Sequence, residues 1–263
     1  MTFFLKSKKF SKRMKNKIQE LYDLMYLNLG PQGWWPVYDL KLKKCVYIPN
    51  RYTKNSPKLI FEISVGALLT QNTSWINVEK ALGKLKEEGY LSPKKIYEAS
   101  FEKLYELIRS SGYYRQKAEK LKNLSLFFIK NSLKELSKKN VFELRKMLLE
   151  IKGIGRETAD SIILYGFQKP IFVIDAYTIR IYLRFFGDEK EYDYDELREI
   201  FEKSLKPDLK IYSEYHALFV EVAKRYCLKK MPLCEKCFLS LKCFYAKEFK
   251  NGKYTLSKNR QIA

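Results

Sequence analysis

Four of the five cysteines crowd into one C-terminal stretch: Cys227, Cys234, Cys237 and Cys243, spaced C-x6-C-x2-C-x5-C. Four thiols within seventeen residues tie that segment into a compact loop, and the simplest reason for doing so is a metal centre. Structural zinc sites built from four cysteines usually pair two C-x2-C knuckles across a longer gap. Only Cys234 and Cys237 form such a pair here. Uneven spacing around one loop suits a [4Fe-4S] cluster, whose ligands can all be cysteine. Zinc is the alternative. Disulfides are disfavoured, because such pairing is rare in a reducing cytosol and no segment marks the chain for secretion.

Charge narrows the partner. The 263 residues carry 51 Lys and Arg against 30 Asp and Glu, a net charge of +21, while hydrophobic residues make up 46%. That composition supports a folded core and attracts a polyanion, with nucleic acid first and an anionic membrane surface second. No apolar run approaches the ~20 residues of a membrane span, which argues against an integral protein. The basic opening, MTFFLKSKKFSKRMKNKI, lacks the apolar stretch and cleavage site of a signal peptide. Its charges belong to a first helix or to a DNA-facing arm, and the chain reads as intracellular. The single histidine, His216, lies on a face with helical periodicity and reads as a core residue.

Apolar residues recur at helical spacing through most of the chain, so the fold class is all-α. Ser92 followed by Pro93 is a capping residue before a proline at the first helical position. Gly89 and Gly112 stand where helices close. Lys41 to Tyr52 alternates weakly, within a proline-bearing connection from Pro31 to Pro57, and reads as a loop or a short extended excursion.

Between Val141 and Phe167, two amphipathic segments flank Lys152-Gly153-Ile154-Gly155. Glycines one residue apart let the backbone turn sharply and approach a partner closely. A helix starting at or just after Gly155 aims its N–H groups and positive dipole end at whatever sits over the turn. With Lys152 and Arg156 beside it, a phosphate suits that place. Glycine-turn helix pairs also occur as plain structural corners.

L-x-x-I-K-G-I-G-R-x-T-A, followed by Asp175 in FVIDAYTIR and then by the four-cysteine loop, resembles the endonuclease III superfamily of DNA glycosylases over residues 57 to 245. The resemblance implies two helical domains. One is a six-helix, barrel-like domain over 57–168 that holds the helix-hairpin-helix. The other is discontinuous, 1–56 plus 169–263, and carries the [4Fe-4S] loop, with the active-site cleft between the two. It further implies a monomer acting on double-stranded DNA. Asp175 is then the catalytic carboxylate, and Lys152, Gly153, Gly155 and Arg156 grip the backbone. Gln71 fills the space left by an extruded base, and Tyr113 is the wedge. Cys227, Cys234, Cys237 and Cys243 are the cluster ligands, with Lys229, Lys230, Lys236 and Lys242 forming a basic loop around them.

Trp34-Trp35-Pro36, the GALLTQNTSW that ends at Trp75, and KGIGRETADSI look like the branch containing 3-methyladenine DNA glycosylase III. That branch lines its base pocket with aromatics at the positions of Trp34, Trp35, Pro36 and Trp75. Alkylated purines are cationic, and indole faces hold a flipped cation well. Leu218 departs from the branch, standing where it has a modified lysine, and the cysteine loop is a second departure. Endonuclease III has a lysine directly after G-x-G-R that forms a Schiff base. Here Glu157 occupies that place, and a carboxylate forms none. A monofunctional glycosylase for alkylated purines is therefore expected. The alternatives are a lyase for oxidised pyrimidines using another amine such as Lys152, or a cluster-bearing protein that binds damage without catalysis.

Overall fold

The computed structural model describes residues 2–52 and 54–250, with side chains placed at 14–52 and 54–248. Residues 251–263 of the expected cluster-bearing segment, and the basic side chains ahead of position 14, lie outside the described residues. Backbone proximity divides the chain into two compact units. One runs over 33–171; the other joins the chain up to Gln32 with the chain from Phe172 onward.

The 33–171 unit is built around helix α2, Pro57–Leu69. Ser56 caps it by accepting from the Leu59 N–H, and Pro57 opens it. Every residue from Ile60 to Leu69 is buried, so α2 must be covered on all sides. It is packed by α3 (Trp75–Glu87), α6 (Tyr114–Lys130), α9 (Arg156–Ser161) and the π-helical turn Ile162–Gly166 that continues α9. Between them run α4 (Pro93–Glu98), α5 (Phe101–Ile108), α7 (Leu133–Lys138) and α8 (Val141–Leu149). Ser92 and Ser100 cap α4 and α5, and Asn140 with Glu143 forms a capping box on α8. Gly89 follows α3 in the left-handed region, with the Tyr90 N–H returning to the Leu85 carbonyl at 2.7 Å.

Within the Pro31–Pro57 connection the extended stretch is a short hairpin that begins ahead of Lys41. Val37–Asp39 (β1) and Lys44–Val46 (β2) pair antiparallel, with Tyr38 opposite Cys45. Asp39 closes the turn by accepting the N–H groups of Lys41 and Leu42 at 2.8 and 2.9 Å. Each strand is three residues long, too short for period-two alternation to stand out in sequence.

The other unit packs α1 (Thr2–Leu29) against α11 (Tyr194–Ser204) and α12 (Leu209–Arg225), with α10 (Ala176–Phe186) against α12 and α13 (Phe244–Lys250). Its core is aromatic. Phe172 stacks on Phe201 at 4.4 Å and Tyr215 on Phe219 at 4.7 Å. The Tyr215 hydroxyl donates to the Ile18 carbonyl at 2.8 Å, fixing α1 on α12. Among the described residues no helix is long and apolar enough to cross a membrane.

Candidate active site and DNA-binding elements

The glycine turn sits between α8 and α9. The Ile154 N–H returns to the Ile151 carbonyl at 3.0 Å, and Gly153 adopts φ +98°, a conformation that favours glycine. A Cβ there would also lie 2.4 Å from the Lys120 stem, so glycine is required twice over. Gly155 is the extended residue before α9 and supplies no side-chain cap. Glu157 lies in the first turn, where its charge suits the dipole. Across the hairpin, Arg145 grips the fully buried Asp160 with two hydrogen bonds of 2.7 and 3.2 Å.

Gln71, just beyond α2, is docked on this turn. Its amide donates to the Gly153 carbonyl at 3.2 Å and to Thr158 Oγ1 at 3.0 Å, and its Oε1 accepts from Lys120 Nζ at 2.6 Å. Tyr113 precedes α6 in the left-handed region and is 64% exposed. A residue that sequence reasoning passed over links the two segments. Lys117, buried on α6, donates to the Leu69 carbonyl at 2.8 Å and the Ser111 carbonyl at 2.6 Å. Each acceptor lies two residues ahead of an expected DNA-contacting side chain. Burial, aided by the nearby Lys120 charge, lowers the Lys117 ammonium to about 8. The signal was available: Lys117 lies four residues before Leu121 and seven before Leu124, on the apolar stripe of α6.

Trp34, Trp35 and Trp75 come together. Trp35 meets Trp34 at 5.7 Å and Trp75 at 5.4 Å, both edge-on, and Pro36 beside it is buried. Sequence reasoning missed a fourth ring: Tyr165, whose centroid is 5.3 Å from Trp35 and 6.2 Å from Trp34. It comes from the π turn, a distortion that local sequence does not announce and that often marks functional sites. Asn55 Nδ2 holds that turn through the Tyr165 and Gly166 carbonyls at 2.8 and 2.9 Å. Trp35 lies flush on α2, where a Cβ added at Gly66 would be 3.0 Å from its Nε1.

In the other unit Asp175 is the cap of α10. One carboxylate oxygen accepts the Thr178 N–H at 2.6 Å and the Thr178 hydroxyl at 2.7 Å. The other lies 3.6 Å from His216 Nε2. Burial pushes the Asp175 carboxyl up, but the His216 contact and the two Thr178 donors outweigh it. The carboxyl is held below its ordinary value. His216 therefore does more than fill core. Leu218, two residues on, is fully buried.

The four C-terminal cysteines form no disulfide and line one cavity together with Arg184, Tyr226, Leu239 and Tyr245. Arg184 Nη1 donates to Cys227 Sγ at 3.3 Å and to the Leu228 carbonyl at 2.8 Å. Burial pushes the Cys237 thiol up to about 11 and Cys243 to about 12, so as free thiols both stay protonated at neutral pH. A bound metal deprotonates such ligands outright. Among the described residues, no three His, Cys, Asp or Glu side chains are arranged to hold a single metal ion. An all-thiol donor set lining one cavity is of the kind that an iron–sulfur core takes.

Helix-hairpin-helix, buried aspartate and cysteine loop on an all-α frame define the class of base-excision DNA glycosylases. Residues 65–207 match the family model for the HhH-GPD superfamily of base excision DNA repair proteins. The chain belongs to that family and is a DNA glycosylase of the endonuclease III type. It is 44% identical over 230 residues to a Methanocaldococcus jannaschii protein named as a DNA repair glycosylase, covering 85% of this chain and 95% of that one. Endonuclease III of Thermotoga maritima is 34% identical over 203 residues, covering 77% and 90%. Among solved structures, the Helicobacter pylori 3-methyladenine DNA glycosylase bound to 1,N6-ethenoadenine is 32% identical with a TM-score of 0.61, covering 82% and 97%. An endonuclease III–DNA complex, 21% identical with a TM-score of 0.69 over 90% and 98%, shares the fold.

Proposed function

We propose that this glycosylase is monofunctional, that it removes alkylated purines from duplex DNA, and that it leaves an abasic site. The observation that carries this reading is the meeting of Trp34, Trp35, Trp75 and Tyr165 in one cluster. Electron-rich rings hold a cationic base, with each contact worth ~0.5–2 kcal/mol. The likeness to a 3-methyladenine glycosylase that binds 1,N6-ethenoadenine supports the same substrate class. Glu157, standing where endonuclease III has its Schiff-base lysine, supports hydrolysis without strand cleavage.

Asp175 carries the chemistry. Kept ionised by His216 and Thr178, it stabilises positive charge developing on the sugar and orients a water toward C1′. The bond from C1′ to the base nitrogen breaks, the base leaves with the bonding electrons, and the water oxygen adds to C1′ as its proton passes to Asp175. A cationic alkylated base leaves readily and needs no strong general acid. The turn Lys152–Gly155 with Arg156 binds a backbone phosphate, Tyr113 parts the stack and Gln71 occupies the vacated space. Gln71 must leave Gly153 and Thr158 to do so, which couples filling of the gap to engagement of the hairpin. Cys227, Cys234, Cys237 and Cys243 would hold a [4Fe-4S] cluster, whose contribution is to shape the surrounding basic loop.

The test is methylated, end-labelled duplex incubated with protein and divided before analysis, one half treated with hot alkali. Breaks in the alkali half alone establish a monofunctional alkylbase glycosylase. Breaks in both halves, or in neither, defeat the proposal.

A further inference from the structure

The Val37–Val46 hairpin has no ring in the aromatic cluster, yet it is fastened firmly to α2 and α3. The Tyr38 N–H donates to Glu62 at 2.8 Å, and Lys86 Nζ bridges the Tyr38 carbonyl and Glu62, each at 2.6 Å. The Tyr38 hydroxyl donates to Glu87 at 2.7 Å, and the Cys45 N–H donates to the Glu79 carboxylate. Tyr38, Cys45 and Glu62 are buried. A solvated loop needs no such anchorage, which uses three carboxylates and a lysine on a strand pair six residues in all.

What the frame presents is a five-residue tip, Leu40-Lys41-Leu42-Lys43-Lys44. Leu40 and Leu42 are 51% and 58% exposed, and all three lysines are exposed. Within the tip the three lysines meet no acidic residue, Glu62 is paired with Lys86, and Asp39, which stays ionised while it closes the turn, offsets one charge, so the tip is net basic. Single exposed leucines need no explanation, but two set among three lysines on a rigid prong form a surface suited to nucleic acid. Its location fits as well. Leu40 is five residues from Trp35, at most roughly 17 Å along an extended chain, about half a helical turn of duplex.

We propose that the tip Leu40–Lys44 docks on the DNA duplex beside the damaged nucleotide, its lysines on phosphates and its leucines against sugar and base edges in the groove. This rests on the aromatic cluster receiving the extruded base. Charge favours DNA over a protein partner, because the chain carries +21 and the tip adds no acidic side chain.

The test is fluorescence anisotropy of a duplex with one abasic-site analogue, titrated with full-length protein over a range of KCl concentrations. The slope of log K against log salt should fall by about 0.9 for each lost phosphate contact in K41Q/K43Q/K44Q, so by about 0.9–2.7. L40S/L42S should weaken binding about tenfold with the slope unchanged. The exposed lysines in K94Q/K134Q/K138Q give a charge-matched control, expected to keep the wild-type slope. All these positions are on the surface, and thermal melting confirms that each variant is folded. Hairpin variants that bind like wild type, or a control that loses as much slope as the hairpin triple, overturn the inference and leave the surface to a protein partner. Wild type failing to prefer the abasic duplex would instead sink the proposed function beneath it.

Discussion

His216 Nε2 stands 3.6 Å from Asp175 Oδ2, with both side chains buried. The pair helps to hold the aspartate ionised. Burial by itself would favour the protonated acid, which can neither stabilise a cationic sugar nor take a proton from water. With His216 on one oxygen and two Thr178 donors on the other, the carboxylate prevails at neutral pH.

Two variants test that balance. Asp175→Asn should cut single-turnover base release by about 10²–10⁴-fold while binding to abasic DNA persists. His216→Ala should shift the acid limb of the pH–rate profile to higher pH, because a contact that lowers the carboxyl is removed while its burial remains. The lowered carboxyl also contributes stability that is present above the unfolded value of about 3.9 and is lost as pH falls through the folded value. An unmoved acid limb in His216→Ala would show that the pairing does not control Asp175.

Lys117→Met removes the donor shared by the Leu69 and Ser111 carbonyls. Two buried acceptors left without partners should cost roughly 2–4 kcal/mol in urea unfolding at pH 7. The wild-type ammonium is lowered to about 8 in the folded state against about 10.4 unfolded. Between those values the unfolded chain holds more protons, so this group makes wild-type stability rise with pH. The variant should lack that rise, and unfolding at pH 7 and 9.5 measures it.

Gly66→Ala separates folding from recognition. Alanine in a buried helix favours the fold by up to about 1 kcal/mol, whereas its Cβ crowds Trp35 Nε1 at 3.0 Å and displaces that ring. The expected outcome is a melting temperature near wild type with KM for alkylated duplex raised several-fold. Parallel loss of stability and activity would mean that Trp35 is core alone.

Glu157→Gln should change base release by less than about threefold, below 1 kcal/mol in the barrier. Borohydride should trap no covalent adduct with wild type. A trapped adduct would reveal an amine acting on the sugar, and Lys152→Gln would identify its source.

Residues near one another in the chain decided much that could be read directly. The Ser92–Pro93 start, the α9 start after Gly155 and the all-α class follow from capping, turn chemistry and period, which act within a few residues. The sequence also singled out Trp34, Trp35 and Trp75, which the fold brings together, and the four thiols, which line one cavity. Tertiary structure decided the rest. His216 and Lys117 look like ordinary members of amphipathic helices until Asp175, Leu69 and Ser111 arrive from distant segments. Tyr165 joins the tryptophans only because the backbone slips into a π turn, and the β-hairpin exists because Glu62, Glu79 and Lys86 hold strands too short to hold themselves. Periodicity records which face of a segment is buried; which buried polar group meets which, as Asp175 meets His216 and Lys117 meets the Leu69 and Ser111 carbonyls, is set by packing between segments.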